Sequence, residues 1–177
     1  DGGAVHADTG ALGLTPTHAM ADVDRADVVV VPGGLEGTFA AAADDAILEW
    51  LRTIDESATW TTSVCTGSLV LAAAGLLDGV SAATHWGSYE RLRKRGAEPT
   101  GERVVINPYH RVITAAGVSA GIDMALHLSA LLVDETAAKA MQLLVEYDPD
   151  PPFDAGSVDK AGPEVMERAV EYSVDKH

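Results

Sequence analysis

The chain has 177 residues, which fits one domain, and 47% of them are hydrophobic, enough for a substantial core. Its 27 acidic residues against 12 basic ones give a formal charge of −15, with lysine only at Lys94, Lys139, Lys160 and Lys176; this argues against a nucleic-acid partner and suits a salt-rich cytoplasm, where counter-ions screen self-repulsion. A single cysteine excludes an intrachain disulfide, argues against a structural zinc site in the absence of a histidine cluster at ligand spacing, and fits a reducing, cytoplasmic setting.

The chain opens DGGAVHADTG, without a methionine or a signal peptide, as a fragment would. Turn signals at Asp1-Gly2-Gly3, Gly10, Gly13 and Pro16 break residues 1–21 into short edge strands or a hairpin. Residues 26–31, ADVVVV, form an unbroken β-branched run, predicting a strand buried on both faces of a parallel sheet; Pro32-Gly33-Gly34 ends it. Over residues 39–54 the spacing of Ile47, Trp50, Leu51 and Ile54 predicts a helix, acidic early and basic late at Arg52.

Residues 59–64 predict a short buried strand, and from Thr66 the run Ser68, Leu69, Val70, Leu71 and Ala72 to Ala74 predicts a helix ended by Gly75 or Asp78-Gly79. The lone cysteine, Cys65, therefore sits on a strand-to-helix bend, a setting that lifts its side chain off the sheet and favours a reactive thiolate. Residues 80–84 predict a third buried strand, followed by His85-Trp86-Gly87, and residues 88–95 a short helix with a basic end. Residues 102–106 and 111–115 flank Asn107-Pro108-Tyr109-His110 as a hairpin. Largely apolar residues 118–133 form a helix, interrupted by Asp123 and His127 and so no membrane span. Residues 135–145 form another. The tail 146–162, dense in proline, glycine and aspartate, is an ordered cover or linker ahead of a surface helix at 164–172.

Alternating strands and helices with short glycine-rich connections point to an open doubly wound α/β fold. In such sheets the ligand crevice lies beyond the carboxyl ends of the strands, where Gly33-Gly34, Cys65 and His85 are expected to meet. Cys65 is the candidate nucleophile, against the reading of a buried small hydrophobe. Thr66 offers a backbone N–H to a developing anion and a hydroxyl to a substrate; alone it would be a helix cap. Gly33 and Gly34 supply either a turn or bare backbone donors facing the sulfur. Glu36 is a general-acid candidate, Asp123 a residue that caps or pairs locally, and His127 a core residue. His6, His18, His110 and His177 carry no signal. No G-x-G-x-x-G after a strand and no P-loop is present.

The elbow SVCTGSLVLAAAGLLDGVSAATHW, the strand-to-helix stretch VITAAGVSAGIDMALHL and the tail VEYDPDPPFDAGS together resemble the DJ-1/PfpI superfamily, within it the isonitrile hydratase-like branch, over residues 26–165. The resemblance implies a flavodoxin-like (class I glutamine amidotransferase-like) three-layer sandwich with a mostly parallel sheet. It also implies a cysteine nucleophile on a strained elbow, a homodimer, a small-molecule substrate, and neither metal nor organic cofactor. By position it makes Cys65 the nucleophile, Thr66 the threonine that follows it in the hydratases, and Gly34 the backbone donor opposite. The superfamily's protease-like members carry histidine where this chain has Thr66. Its members also begin with a strand and helix bearing an acid that reaches the cysteine, which the resemblance places ahead of Asp1. The implied reaction is hydration of an isonitrile to an N-substituted formamide. Alternatives are a glyoxalase-type attack on a reactive carbonyl assisted by His85, the ligand-sensing domain of a transcription regulator, and a redox sensor in which Cys65 is oxidised.

Overall fold

The computed structural model describes residues 3–7 and 10–174. Its centre is a four-stranded sheet in the order β3-β4-β8-β7, formed by Val28–Val31 (β3), Trp60–Val64 (β4), Val104–Asn107 (β7) and Val112–Ala115 (β8). β3, β4 and β8 run parallel, with Val31 opposite Ser63 and Ser63 opposite Thr114; β7 returns antiparallel to β8 as the predicted hairpin.

Two further pairs stand apart: β1 (Val5–His6) with β2 (Gly13–Leu14), antiparallel, and β5 (Ser81–Ala82) with β6 (Glu98–Pro99), parallel. The first is the expected hairpin near the start; Asp1 and Gly2 of its first turn signal lie outside the described residues, as does His177. The second contains the strand expected over residues 80–84, shortened to two residues and set outside the central sheet. The segment is buried, but β7 already occupies the slot beside β8, and the Ala83 N–H donates to the Thr114 hydroxyl at 2.7 Å instead of to a backbone ladder.

One face of the sheet carries α1 (Glu36–Ala41), α2 (Asp45–Ser57) and α3 (Gly67–Ala73). The single helix expected over residues 39–54 is thus two. Asp44 accepts from the Ala46 and Ile47 N–H groups at 2.9 and 3.3 Å, so it caps a new helix where the expected one would have continued. Leu48, Leu51 and Ile54 of α2 pack with Val29, Val70 and Ala74; Leu69, Leu71, Leu77 and Leu92 extend that core toward the short helix α4 (Tyr89–Arg93). Burial on this scale is the main force holding the layers together, about 1.5–3 kcal/mol for each large apolar side chain.

On the opposite face α5 (Ala120–Leu132) packs Ala120 and Met124 onto Ile113, Ala115, Trp60 and Val64, and α6 (Glu135–Leu144) lies against α5. The tail helix α7 (Val158–Val174) is two helices divided at the non-helical Gly162 (φ 73°), and the one after it is the expected surface helix. Among the described residues no strand covers the outer edge of β3. The expectation of a strand buried on both faces holds for Val29 but not for Val30, which faces an open cavity and is 53% exposed. No helix among the described residues is long and apolar enough to cross a membrane.

Candidate active site

The carboxyl ends of β3, β4 and β8 open onto one cavity of about 1030 Å³. Gly33, Gly34, Cys65, Thr66 and His85 line it together, so the three loops singled out from sequence converge. Glu36 is not brought to it: it opens α1 with an exposed side chain, outside the lining residues.

Cys65 has φ 59°, a left-handed conformation that strains a residue with a Cβ by about 1–3 kcal/mol unless the surroundings over-determine it. They do. Its N–H is shared between the Ala115 and Ala116 carbonyls at 3.0 and 2.9 Å, and its carbonyl accepts from the Ser68 and Thr84 hydroxyls at 3.2 and 3.1 Å. Three segments of the chain thereby clamp the peptide units on both sides of Cys65, and the side chain lies at the head of the cavity.

Gly33 is pressed against this elbow. A Cβ there would stand 2.8 Å from the Cys65 Cβ and 2.9 Å from the Thr66 N, distances real Cβ atoms do not tolerate. Gly67, first residue of α3, has the same constraint against the carbonyls of Val31 and Pro32. Glycine at these positions is thus explained by close approach of the β3 loop to the elbow.

Thr66 departs from its predicted use. Its hydroxyl donates to the Gly34 carbonyl at 2.8 Å while accepting from the Gly34 N–H at 3.0 Å, and it touches the Thr38 hydroxyl at 3.2 Å. In this state both the Thr66 hydroxyl and the Gly34 N–H serve to staple the β3 loop to the elbow.

His85 is half-buried at the cavity, and burial lowers its pKa from the ordinary imidazole value. Its Nδ1 accepts from the Gly87 N–H at 3.2 Å, so the neutral ring carries its proton on Nε2. The Cδ2 edge packs against Gly117 at the start of the loop that leads to α5. His85 is therefore built to present a hydrogen-bond donor, its other nitrogen being engaged by the backbone.

Beyond this polar head the walls are apolar: Val30, Val64, Val118, Ile122, Met124 and Leu128. One residue sits differently from its sequence reading. Asp123 pairs with Arg103 as expected of a locally paired acid, but His127, read as core, is exposed on α5 and lines a separate cavity. Tyr147 also lines the cavity, and the only sequence signal for it is its place in the tail motif. Among the described residues no group of His, Cys, Asp and Glu is arranged to hold a metal ion.

A sequence model of the DJ-1/PfpI family matches residues 1–131. The chain is 44% identical over 158 residues to an isonitrile hydratase of Pseudomonas putida, covering 89% of this chain and 68% of that protein. It is 32% identical over 130 residues to the HTH-type transcriptional regulator CdhR of Pseudomonas aeruginosa, covering 73% of this chain and 38% of the regulator. Among solved structures, a THiJ/PfpI family protein from Pseudomonas syringae superposes with a TM-score of 0.91 at 41% identity, over 99% of this chain and 72% of that one. Drosophila melanogaster DJ-1beta shares the fold with a TM-score of 0.73 at 24% identity, over 82% and 77% of the two chains.

Proposed function

Because the chain belongs to the DJ-1/PfpI family, we propose that it acts as a Cys65-dependent hydratase converting an isonitrile and water into an N-substituted formamide. The observation that carries this reading is a strained cysteine at the head of a largely apolar cavity. An isonitrile is a small uncharged electrophile on an organic substituent, and such a cavity suits its apolar body while the sulfur meets its terminal carbon.

In this reading the Cys65 thiolate adds to the carbon of R–N≡C, and that carbon takes a proton to give the thioimidate R–N=CH–S. Water adds to the same carbon, the C–S bond breaks and sulfur leaves as thiolate; one proton of the water goes to nitrogen and the other restores the acid that gave the first proton, giving R–NH–CHO. The Nε2–H of His85 orients the reacting group or the attacking water, and the Thr66–Gly34 staple keeps the β3 loop at contact distance from the sulfur. Among the described residues the ionisable side chains lining the cavity besides Cys65 are His85 and Tyr147. In this reading the first proton comes from the acid that the family resemblance implies.

The test supplies full-length protein with an aliphatic isonitrile and follows formamide by mass spectrometry. Formamide from wild type and none from Cys65→Ala is the expected result; no formamide, or equal turnover by the variant, refutes the reading. Likeness to CdhR favours one other reading, a ligand-sensing domain, and tight reversible binding of an unchanged ligand without turnover would select it. We also read the protein as a homodimer. α5 is largely apolar, broken only by Asp123, His127 and Ser129, yet its Ile122, Leu131 and Leu132 are exposed, as are Leu143 and Leu144 of α6. Light scattering at the monomer mass would overturn that.

A further inference from the structure

The tail motif at residues 145–157 plays no part in the chemistry above, yet Val145 and Tyr147 line the Cys65 cavity. Tyr147 also lines a second cavity of about 670 Å³. It and Leu126 are common to both, so these two side chains form the partition. The chambers differ in chemistry. The one holding Cys65 is walled mainly by aliphatic groups, whereas the other is bounded by Glu102, Arg103, Asp123, Glu135 and Lys139.

Tyr147 is fixed in place by more than packing. Its N–H donates to the Gln142 carbonyl at 3.1 Å, and its own carbonyl accepts from Gln142 Nε2 at 3.0 Å. Its phenol oxygen accepts from Arg103 Nη2 at 3.5 Å; Arg103 is itself held by the Asp123 carboxylate and by the Ser119 hydroxyl at 3.1 Å. The preceding residue, Glu146, has φ 48°, a left-handed conformation without glycine's freedom, and it is this turn that carries the chain from α6 back to the partition. Backbone strain, a bracketed peptide and a held ring all converge on one side chain.

We propose that Tyr147 is a specificity-determining residue of the Cys65 site: its ring closes the apolar chamber against the charged one, selecting reactants with wholly apolar substituents over those ending in a charge. A cationic chain end confined to the apolar chamber loses its hydration without gaining a partner. With the ring removed, the same end reaches the carboxylates of Glu102 and Glu135. The inference rests on the reading of Cys65 as the reactive group of its cavity, and is independent of which electrophile it naturally attacks.

The test measures alkylation of Cys65 in the full chain by N-hexylmaleimide and by its ω-trimethylammonium analogue, each rate divided by that of N-ethylmaleimide on the same protein to cancel changes in the thiol itself. Wild type should prefer the hexyl reagent, and Tyr147→Ala should lower that preference by about tenfold, the scale on which a pocket discriminates one substituent from another. Arg103→Met, which frees the ring without removing it, should lower it by a smaller factor and serves as the test if Tyr147→Ala does not fold. A preference unchanged in folded Tyr147→Ala, or failing that in Arg103→Met, overturns the proposal. Wild-type formamide formation is measured alongside: a shifted preference with no formamide refutes the hydratase reading alone and leaves the partition standing.

Discussion

Cys65 and Arg111 stand at opposite ends of the same pair of strands, and both hold a left-handed backbone without being glycine, with φ 59° and 56°. The Cys65 N–H donates to carbonyls at the carboxyl end of β8, while the Arg111 carbonyl accepts from Thr61 near the start of β4 at 2.9 Å. The backbones are alike; the side chains are not. Arg111 folds back on its own scaffold, its guanidinium donating to the Ala58 and Asp55 carbonyls and lying 3.8 Å from the Asp55 carboxylate. The Cys65 side chain lies instead at an open cavity. A strained backbone therefore marks a position that its neighbours must hold, and where the side chain is spent decides whether the strain serves the fold or the site.

The contrast is tested most severely at the elbow. Cys65→Ala is expected to lower formamide formation by about 1000-fold or more while leaving thermal unfolding close to wild type, since the clamp on its backbone does not use the sulfur. A melting temperature that collapsed with the activity would put Cys65 in the class of Arg111. Gly33→Ala should come next. Its added methyl must displace the Cys65 Cβ or the Thr66 amide, and a misplacement on the ångström scale costs about 100-fold in rate. A crystal structure of this variant with the elbow unmoved and turnover intact would contradict that account. Thr66→Val removes the staple to Gly34 but keeps the shape, so a loss of about tenfold, equivalent to about 1.4 kcal/mol in the barrier, is expected, with the larger share in kcat if the hydroxyl only positions the loop. A change confined to KM would instead return Thr66 to direct substrate contact.

At the other end, Arg111→Ala should cost about 1–2 kcal/mol in denaturant unfolding, through lost hydrogen bonds to backbone carbonyls, and leave the rate of Cys65 alkylation as it was. Slower alkylation would mean that the two ends of β4 and β8 are coupled, and the comparison would have to be given up.

Much of the site was legible because topology does the gathering. Once residues 26–31 and 59–64 read as parallel strands, Gly33-Gly34 and Cys65 had to emerge at the same edge of the sheet, and His85 followed after one more pass of the chain. Roles that depend on side-chain partners were less legible. Thr66 looked available to a substrate because sequence does not show the reciprocal bond to Gly34, and Glu36 looked like an acid near the sulfur because two residues of spacing say nothing about which way a helix opens. The strand expected over residues 80–84 is present as β5, but burial and β-branching do not say which sheet a strand joins or where its ladder gives way to a side-chain partner. Tyr147 lay in a motif quoted for its pattern, with no rule connecting that pattern to a wall shared by two cavities.

The smallest expected effect concerns His85, which shares features of both ends: its Nδ1 is spent on the scaffold at Gly87 while its ring faces the cavity. Burial lowers its pKa, so the folded state prefers the neutral ring. Its contribution to stability is then fully present above the unfolded value of about 6.5 and is lost as pH falls from there toward the folded pKa, because the unfolded chain takes up the proton first. Protonation also puts a hydrogen on Nδ1, where the Gly87 N–H now donates, so the loop after His85 should loosen over the same range. Formamide formation is thus expected to show an acid limb below about pH 6.5, accompanied by a modest fall in melting temperature. His85→Asn keeps an acceptor for Gly87 but has no proton to gain, and should flatten both curves between pH 7 and 5. An unaltered acid limb in that variant would show that a different group titrates, and would leave His85 on the side of the scaffold, with Arg111.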